Sequence, residues 1–259
     1  MPVRPAVVLV HGMRTSSAIW AEQLRAVRDA GYEAVAVDLP GHADRQDETF
    51  THSSAVATID AAVAGLDPRA PLVVVGVSLG GYLALEYGAR RPERLAGVVA
   101  AACTAEPLGK PVRLFRDVAR AVHATHRSLR SSFGTVLQNA RQLTGRPVPT
   151  FPRSVVVSGE DHPRPSWHVV TEMLTVLSRT SAIGNLRQVA APVWLVNGQR
   201  DHMRIDERRY LAARPDARLV VVRGAGHDVN TDAPHAFNRT LLSVLHNVEA
   251  RAVRSAPAV

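Results

Sequence analysis

Three residues far apart in the chain, Ser78, Asp201 and His227, have the types and settings that nucleophilic catalysis needs. Ser78 lies in Gly76-Val77-Ser78-Leu79-Gly80, followed by Gly81. The apolar run Leu72–Val75 precedes it and a helical pattern opens at Leu79. A strand–turn–helix setting of this kind holds a serine hydroxyl clear of the sheet on a sharp, strained turn. Glycines at 76 and 80 let neighbouring backbone pass close by. The helix N-terminus offers unbonded N–H groups and positive potential to a developing oxyanion.

A serine hydroxyl is a poor nucleophile until a base takes its proton. His227 suits that role, first as general base and then as general acid to the leaving group. It follows the strand-like run Arg218–Val222 behind Gly224-Ala225-Gly226, where glycines let the loop turn and present the imidazole over the sheet edge. A carboxylate must then fix the imidazole tautomer. Asp201 follows the run Val193–Val196, and the chain order Ser–Asp–His fits this type of site. Asp161, in Gly159-Glu160-Asp161-His162, is the alternative; Asp228 adjoins the base and should point elsewhere. Two backbone N–H donors complete the chemistry. Leu79, directly after the nucleophile, supplies one, and Met13, in the loop His11-Gly12-Met13-Arg14, supplies the other. Each donor is worth about 3 kcal/mol in the transition state. His11 reads as a structural hydrogen-bonder.

The elements that position these residues alternate. Strand-like runs at Ala6–Val10, Glu33–Val37, Leu72–Val77, Ala96–Ala102, Val193–Val196 and Leu219–Val222 are separated by helical patterns. The helices are marked by Trp20, Leu24 and Val27, by Val56, Ile59, Val63 and Leu66, by Leu79–Arg90, and by a last one from Pro234. Strands apolar throughout and separated by helices predict a parallel sheet covered on both faces, with ligands bound at the strand C-terminal edge. Roughly 90 residues interrupt the rhythm after the fourth strand. Helical spacing there involves Val112, Phe115, Ala119 and Val122, then Leu129, Phe133, Val136 and Ala140, then Val170, Met173, Leu174 and Leu177. A proline-rich stretch with a candidate short strand at Ser154–Ser158 lies between. The predicted organisation is a core over 1–103, a helical lid over 104–190, the rest of the core over 191–250 and a frayed tail over 251–259.

Composition excludes several classes. The chain has 259 residues, 46% of them hydrophobic, enough for one well-buried core. Its longest apolar runs are about eight residues, against the roughly 20 that a membrane-spanning helix needs. The N-terminal run resembles no secretory signal, so the expectation is a cytoplasmic protein without membrane association. The formal charge of +8 comes from 30 arginines and a single lysine, Lys110, scattered singly or in pairs. Without a basic block or interleaved aromatics, no nucleic-acid partner is expected. Cys103 is the sole cysteine and reads as a small core residue. No metal and no cofactor are expected. His123 and His126 share a helix face without an acidic partner at fitting spacing, and no dinucleotide or phosphate-loop pattern is present. Arg14 and Arg45 read as solvated side chains, with contact to an anionic substrate as the alternative.

Together these motifs resemble the α/β-hydrolase superfamily over nearly all of Val7 to Val248. His11-Gly12 resembles its oxyanion loop, and Asp38-Leu39-Pro40-Gly41-His42 a structural segment. Gly76–Gly81 resembles its nucleophile turn, and Gly198–Asp201 and Gly226–His227 its acid and base loops. Val77 departs from the histidine or tyrosine common before the nucleophile. The start directly at a parallel strand is similar to the methylesterase and hydroxynitrile-lyase branch. The resemblance implies six core strands in the order 2-1-3-4-5-6 with a mostly helical lid. It also implies a cofactor-independent serine hydrolase acting on a small-molecule ester, thioester or lactone through an acyl-enzyme. Met13, Trp167, Met173 and Leu174 are pocket candidates. Related sites also run C–C cleavage, acyl transfer or natural-product tailoring, and a non-catalytic binder is a third reading. The sequence assigns no oligomeric state.

Overall fold

The run Ala6–Val10 is buried along its whole length because both of its faces are covered, and its side chains alternate between two cores. Val8 and Val10 point into one, Val7 and Leu9 into the other. The computed structural model describes residues 3–111, 165 and 167–255. In chain order its elements are β1 (Ala6–Val10), a 3-10 turn (Ser17–Trp20), α1 (Ala21–Asp29), β2 (Glu33–Val37), a second 3-10 turn (Ala43–Arg45), α2 (His52–Ala64), β3 (Leu72–Val77), α3 (Leu79–Arg90) and β4 (Leu95–Ala101). Then follow α4 (Trp167–Leu177), α5 (Ala182–Gln188), β5 (Val193–Gly198), α6 (Glu207–Ala213), β6 (Arg218–Val222), α7 (Val229–Asp232) and α8 (Pro234–Ser255).

The strands form one sheet in the order β2-β1-β3-β4-β5-β6, and every pairing is parallel. This is the α/β fold class and the strand order expected. Helices α1 and α8 cover one face through Val27, Phe237, Leu241 and Leu245. Helices α2, α3, α4 and α5 cover the other through Ile59, Leu83, Met173 and Leu186. Each such side chain fully removed from water stabilises the fold by about 1.5–3 kcal/mol. With all strands parallel, the loops after β1, β2, β3, β5 and β6 emerge on one edge.

Several elements differ from the sequence reading. The first helix is divided at Trp20 into a 3-10 turn, capped by the Ser16 hydroxyl, and α1. Helix α8 continues past Arg251 to Ser255, where a frayed tail was expected from 251. Helices α5, α6 and α7 are too short to show an apolar period. Helix α4 matches the spacing of Val170, Met173, Leu174 and Leu177. The two helices expected within 112–140, the strand at 154–158, and Asp161, His123 and His126 lie outside the described residues. Among those described, no helix is long and apolar enough to cross a membrane.

Candidate active site

The turn after β3 is built by glycines meeting backbone. A Cβ at Gly76 would collide with the Gly80 backbone, and one at Gly80 with the carbonyls of Val10 and His11. Only glycine at both positions lets β1, β3 and the start of α3 come this close. Ser78 is held at φ 54° and ψ −115°, a conformation that costs on the order of 1–3 kcal/mol for a residue with a Cβ. Its N–H donates to the Ala101 carbonyl at 2.8 Å, and its carbonyl accepts from Tyr82 at 3.1 Å. Backbone pairing on both sides thus sustains the strain and leaves the hydroxyl outside the helix.

Backbone contact also joins the loops after β5 and β6. A Cβ at Gly198 would strike the Gly226 and Ala225 carbonyls. Gln199 N–H donates to Val222 and Arg200 N–H to Ala225, each at 2.9 Å. Asp232 accepts the Gly226 N–H at 2.7 Å, which anchors the loop carrying His227 from α7.

Ser78, Asp201 and His227 converge at this edge. His227 Nδ1 lies 2.8 Å from Asp201 Oδ1, and His227 Nε2 lies 2.9 Å from Ser78 Oγ. An ionised carboxylate only accepts hydrogen bonds, so Nδ1 carries the proton and Nε2 accepts from the serine hydroxyl. Asp201 has a fully buried side chain, and its Oδ1 also accepts the Met203 N–H at 2.8 Å. Burial opposes a charge on His227. The hydrogen bond and charge of Asp201 outweigh it, and with Asp228 and Asp232 they hold the imidazole above its ordinary value.

The N–H of Leu79 opens α3 and has no earlier helical carbonyl to meet. A Cβ at Gly12 would sit 3.5 Å from Ser78 Cβ, so the loop that carries Met13 runs alongside Ser78. Two buried histidines hold this loop. His11 Nδ1 donates to the Gly12 carbonyl at 2.7 Å, and its Nε2 accepts the Leu39 N–H at 3.0 Å. His42 Nε2 accepts the Arg14 N–H at 3.2 Å, while its Nδ1 lies 3.1 Å from the Pro40 carbonyl. Burial lowers His11 to about 4 and His42 to about 3, so both remain neutral near neutral pH. The part of His42 in holding Arg14 was not evident from sequence, since the two are 28 residues apart.

The remaining candidates are placed as follows. Met173 is fully buried and Leu174 nearly so. Met173 Cε and Val169 Cγ1 approach Gly41 closely, which seats α4 on the loop after β2. Met13 is half-buried against the same core, and the side chain of Trp167 is outside the described residues. Cys103 is buried in the core, and burial pushes its thiol well up. Arg45 is tied to Glu48, the Asp38 carbonyl and Thr58. His202 was not singled out from sequence; its ring lies 4.7 Å from that of His227. A cleft lined by Pro192, Arg214, Asp216 and Arg218 opens at the start of β5 and β6, the opposite edge of the sheet. There Arg214 already donates to the Val189 and Ala191 carbonyls and to Asp216.

Known proteins share this architecture. A pimeloyl-[acyl-carrier protein] methyl ester esterase of Xanthomonas campestris pv. campestris is 29% identical over 242 residues, covering 86% of this chain and 88% of its own. A thermophilic esterase of Thermogutta terrifontis superposes with a TM-score of 0.71 at 19% identity, over 96% of this chain and 92% of its own. An enol-lactonase of Burkholderia xenovorans does so with a TM-score of 0.68 at 18% identity, over 94% and 92%. At these identities the two structures attest a common fold. The sequence profile of the alpha/beta hydrolase family matches residues 7–240, from the first strand into the last helix, and the chain therefore belongs to the alpha/beta hydrolase family.

Proposed function

We propose that this protein, a hydrolytic enzyme of the alpha/beta hydrolase family, is a serine hydrolase that cleaves a carboxylic ester, thioester or lactone through an acyl-enzyme. The unbroken chain of hydrogen bonds from Asp201 through His227 to Ser78 carries the reading. Ser78 Oγ attacks the carbonyl carbon as its proton passes to His227 Nε2. The Leu79 and Met13 N–H groups receive the oxyanion. His227 then protonates the leaving group, and the C–O or C–S bond breaks. Water, deprotonated by the same nitrogen, attacks the acyl-enzyme and frees Ser78. Asp201 keeps the imidazole in the accepting tautomer and stabilises the imidazolium.

Relatives named for methyl ester and enol-lactone chemistry support an acyl substrate. A lid role for the insertion over 104–190 is supported by the packing of Val169 and Met173, in its described part, on the Gly41 loop. Met13, Met173 and Leu174 border the acyl pocket in this reading.

A fluorophosphonate probe tests the assignment. Wild type takes the label at Ser78, and Ser78→Ala takes none and loses turnover by on the order of 10⁵-fold or more. Equal labelling of both proteins would rule the assignment out. A substrate panel that includes a methyl ester, a thioester and a lactone then narrows the class by kcat/KM.

A further inference from the structure

We propose that Asp201, His202 and His227 form a binding site for a divalent transition-metal ion of the zinc kind, and that the bound ion switches the active site off. One carboxylate oxygen of Asp201 and one ring nitrogen from each histidine lie within 4.8 Å of one another. Tetrahedral zinc, with bonds of about 2.0–2.2 Å to such atoms, separates its ligands by roughly 3.4 Å. The observed separations from Asp201 Oδ1 bracket that spacing, 2.8 Å to His227 Nδ1 and 3.8 Å to His202 Nδ1. Binding requires the three ligand atoms, now within 4.8 Å of one another, to adjust to that spacing by side-chain rotation.

Two independent features favour a cation here. Asp201 Oδ2 is buried and has no hydrogen-bond partner among the described residues, so part of the carboxylate's negative charge is unmet beside both rings. The His202 side chain is 37% exposed while that of Asp201 is fully buried, so an ion reaches the carboxylate by way of His202. Two histidines and a carboxylate leave a fourth position for water. The sequence carries no regular metal spacing, because Asp201 and His202 are adjacent and His227 arrives from another loop.

Inhibition follows from the tautomer, and this part rests on His227 being the base. A metal–nitrogen bond forms at Nδ1, and the N–H bond there breaks. The proton is taken up at Nε2, so a neutral ring gains and loses none. Nε2–H then donates to Ser78 Oγ where it had accepted, and no lone pair is left to receive the serine proton.

The test uses the full chain freed of metal with EDTA, titrated with ZnCl2 by calorimetry and assayed in parallel by fluorophosphonate labelling. Wild type and Ser78→Ala should both bind zinc. His202→Asn should bind it more weakly by more than the about 10- to 100-fold that loss of an outer-shell partner costs. Zinc should slow labelling of wild type, reversibly by EDTA, whereas His202→Asn should label at the metal-free rate with or without zinc. Equal zinc affinity in wild type and His202→Asn would overturn the site, as would absence of binding to wild type. If metal-free wild type takes no label, the serine reading fails, and the calorimetric titration still decides the metal site by itself.

Discussion

His11 is a buried histidine and His227 a partly buried one, in loops at the same sheet edge, yet their protonation is driven in opposite directions. His11 is lowered to about 4 and His227 is raised. Burial opposes the charged form in both. What differs is the nearest carboxylate. Asp201 stands 2.8 Å from His227 Nδ1 and forms a hydrogen bond. Asp38 stands 3.9 Å from His11 Nε2, and its oxygens accept from the Ser17 N–H and hydroxyl. The ring nitrogens of His11 meet a carbonyl and a backbone N–H, partners that suit a neutral imidazole. One loop histidine is thereby a fixed strut for the Met13 loop, and the other stands between a carboxylate and the serine hydroxyl.

Removing the carboxylate from the second site should break the contrast. Asp201→Asn should lower kcat by about 10⁴-fold, because the amide cannot hold the accepting tautomer. A base must be neutral to act, so the acid limb of the wild-type rate profile should lie above the ordinary histidine value of 6.5. In Asp201→Asn it should move downward. A pH profile of labelling rate checks both points, and an unmoved limb would contradict the assignment of Asp201.

A smaller effect is expected at the strut. His11→Ala empties a buried position and strands the Leu39 N–H, which should lower the unfolding free energy by about 2–4 kcal/mol. Urea denaturation measures this, and labelling should also slow as the Met13 loop loosens. An unchanged midpoint would mean that the loop does not depend on the imidazole.

Acid stability gives the third and finest comparison. The folded-state values of His11 and His42 lie below 6.5, so the unfolded chain takes up their protons first. Their contribution is complete above about 6.5 and is lost as pH falls toward 4 for His11 and 3 for His42. The loss reaches on the order of 3 kcal/mol for His11. His227 has the opposite sign: its contribution is present below 6.5 and is lost as pH rises through its raised folded value. His11→Gln, which does not titrate, should flatten the acidic slope of stability against pH and leave the labelling profile in place.

Local signals marked most of this arrangement in advance. The runs at Ala6–Val10 and Leu72–Val77 have the bounds read from the letters, because a strand buried on both faces is apolar throughout; the edge strand Glu33–Val37 also has its expected bounds, although Glu33 is exposed. Helix α5 was not legible. Ser181 caps it locally through the Gly184 N–H, but the Ala182 and Ile183 N–H groups are accepted by Glu106, 76 and 77 residues earlier, which no local pattern announces. The hydrogen bond of His42 that steadies Arg14, and the ring of His202 beside His227, are likewise products of chain crossing.

By itself, the order of residues determined the parallel sheet, the glycine-flanked serine turn and the three side chains worth testing. Period, turn chemistry and loop position all act over a few residues. Tertiary structure alone decided which histidine meets a carboxylate and the serine hydroxyl and which meets only backbone. That outcome depends on whether a carboxylate from a distant loop arrives within hydrogen-bonding reach, and distances of this kind exist only after the chain has folded.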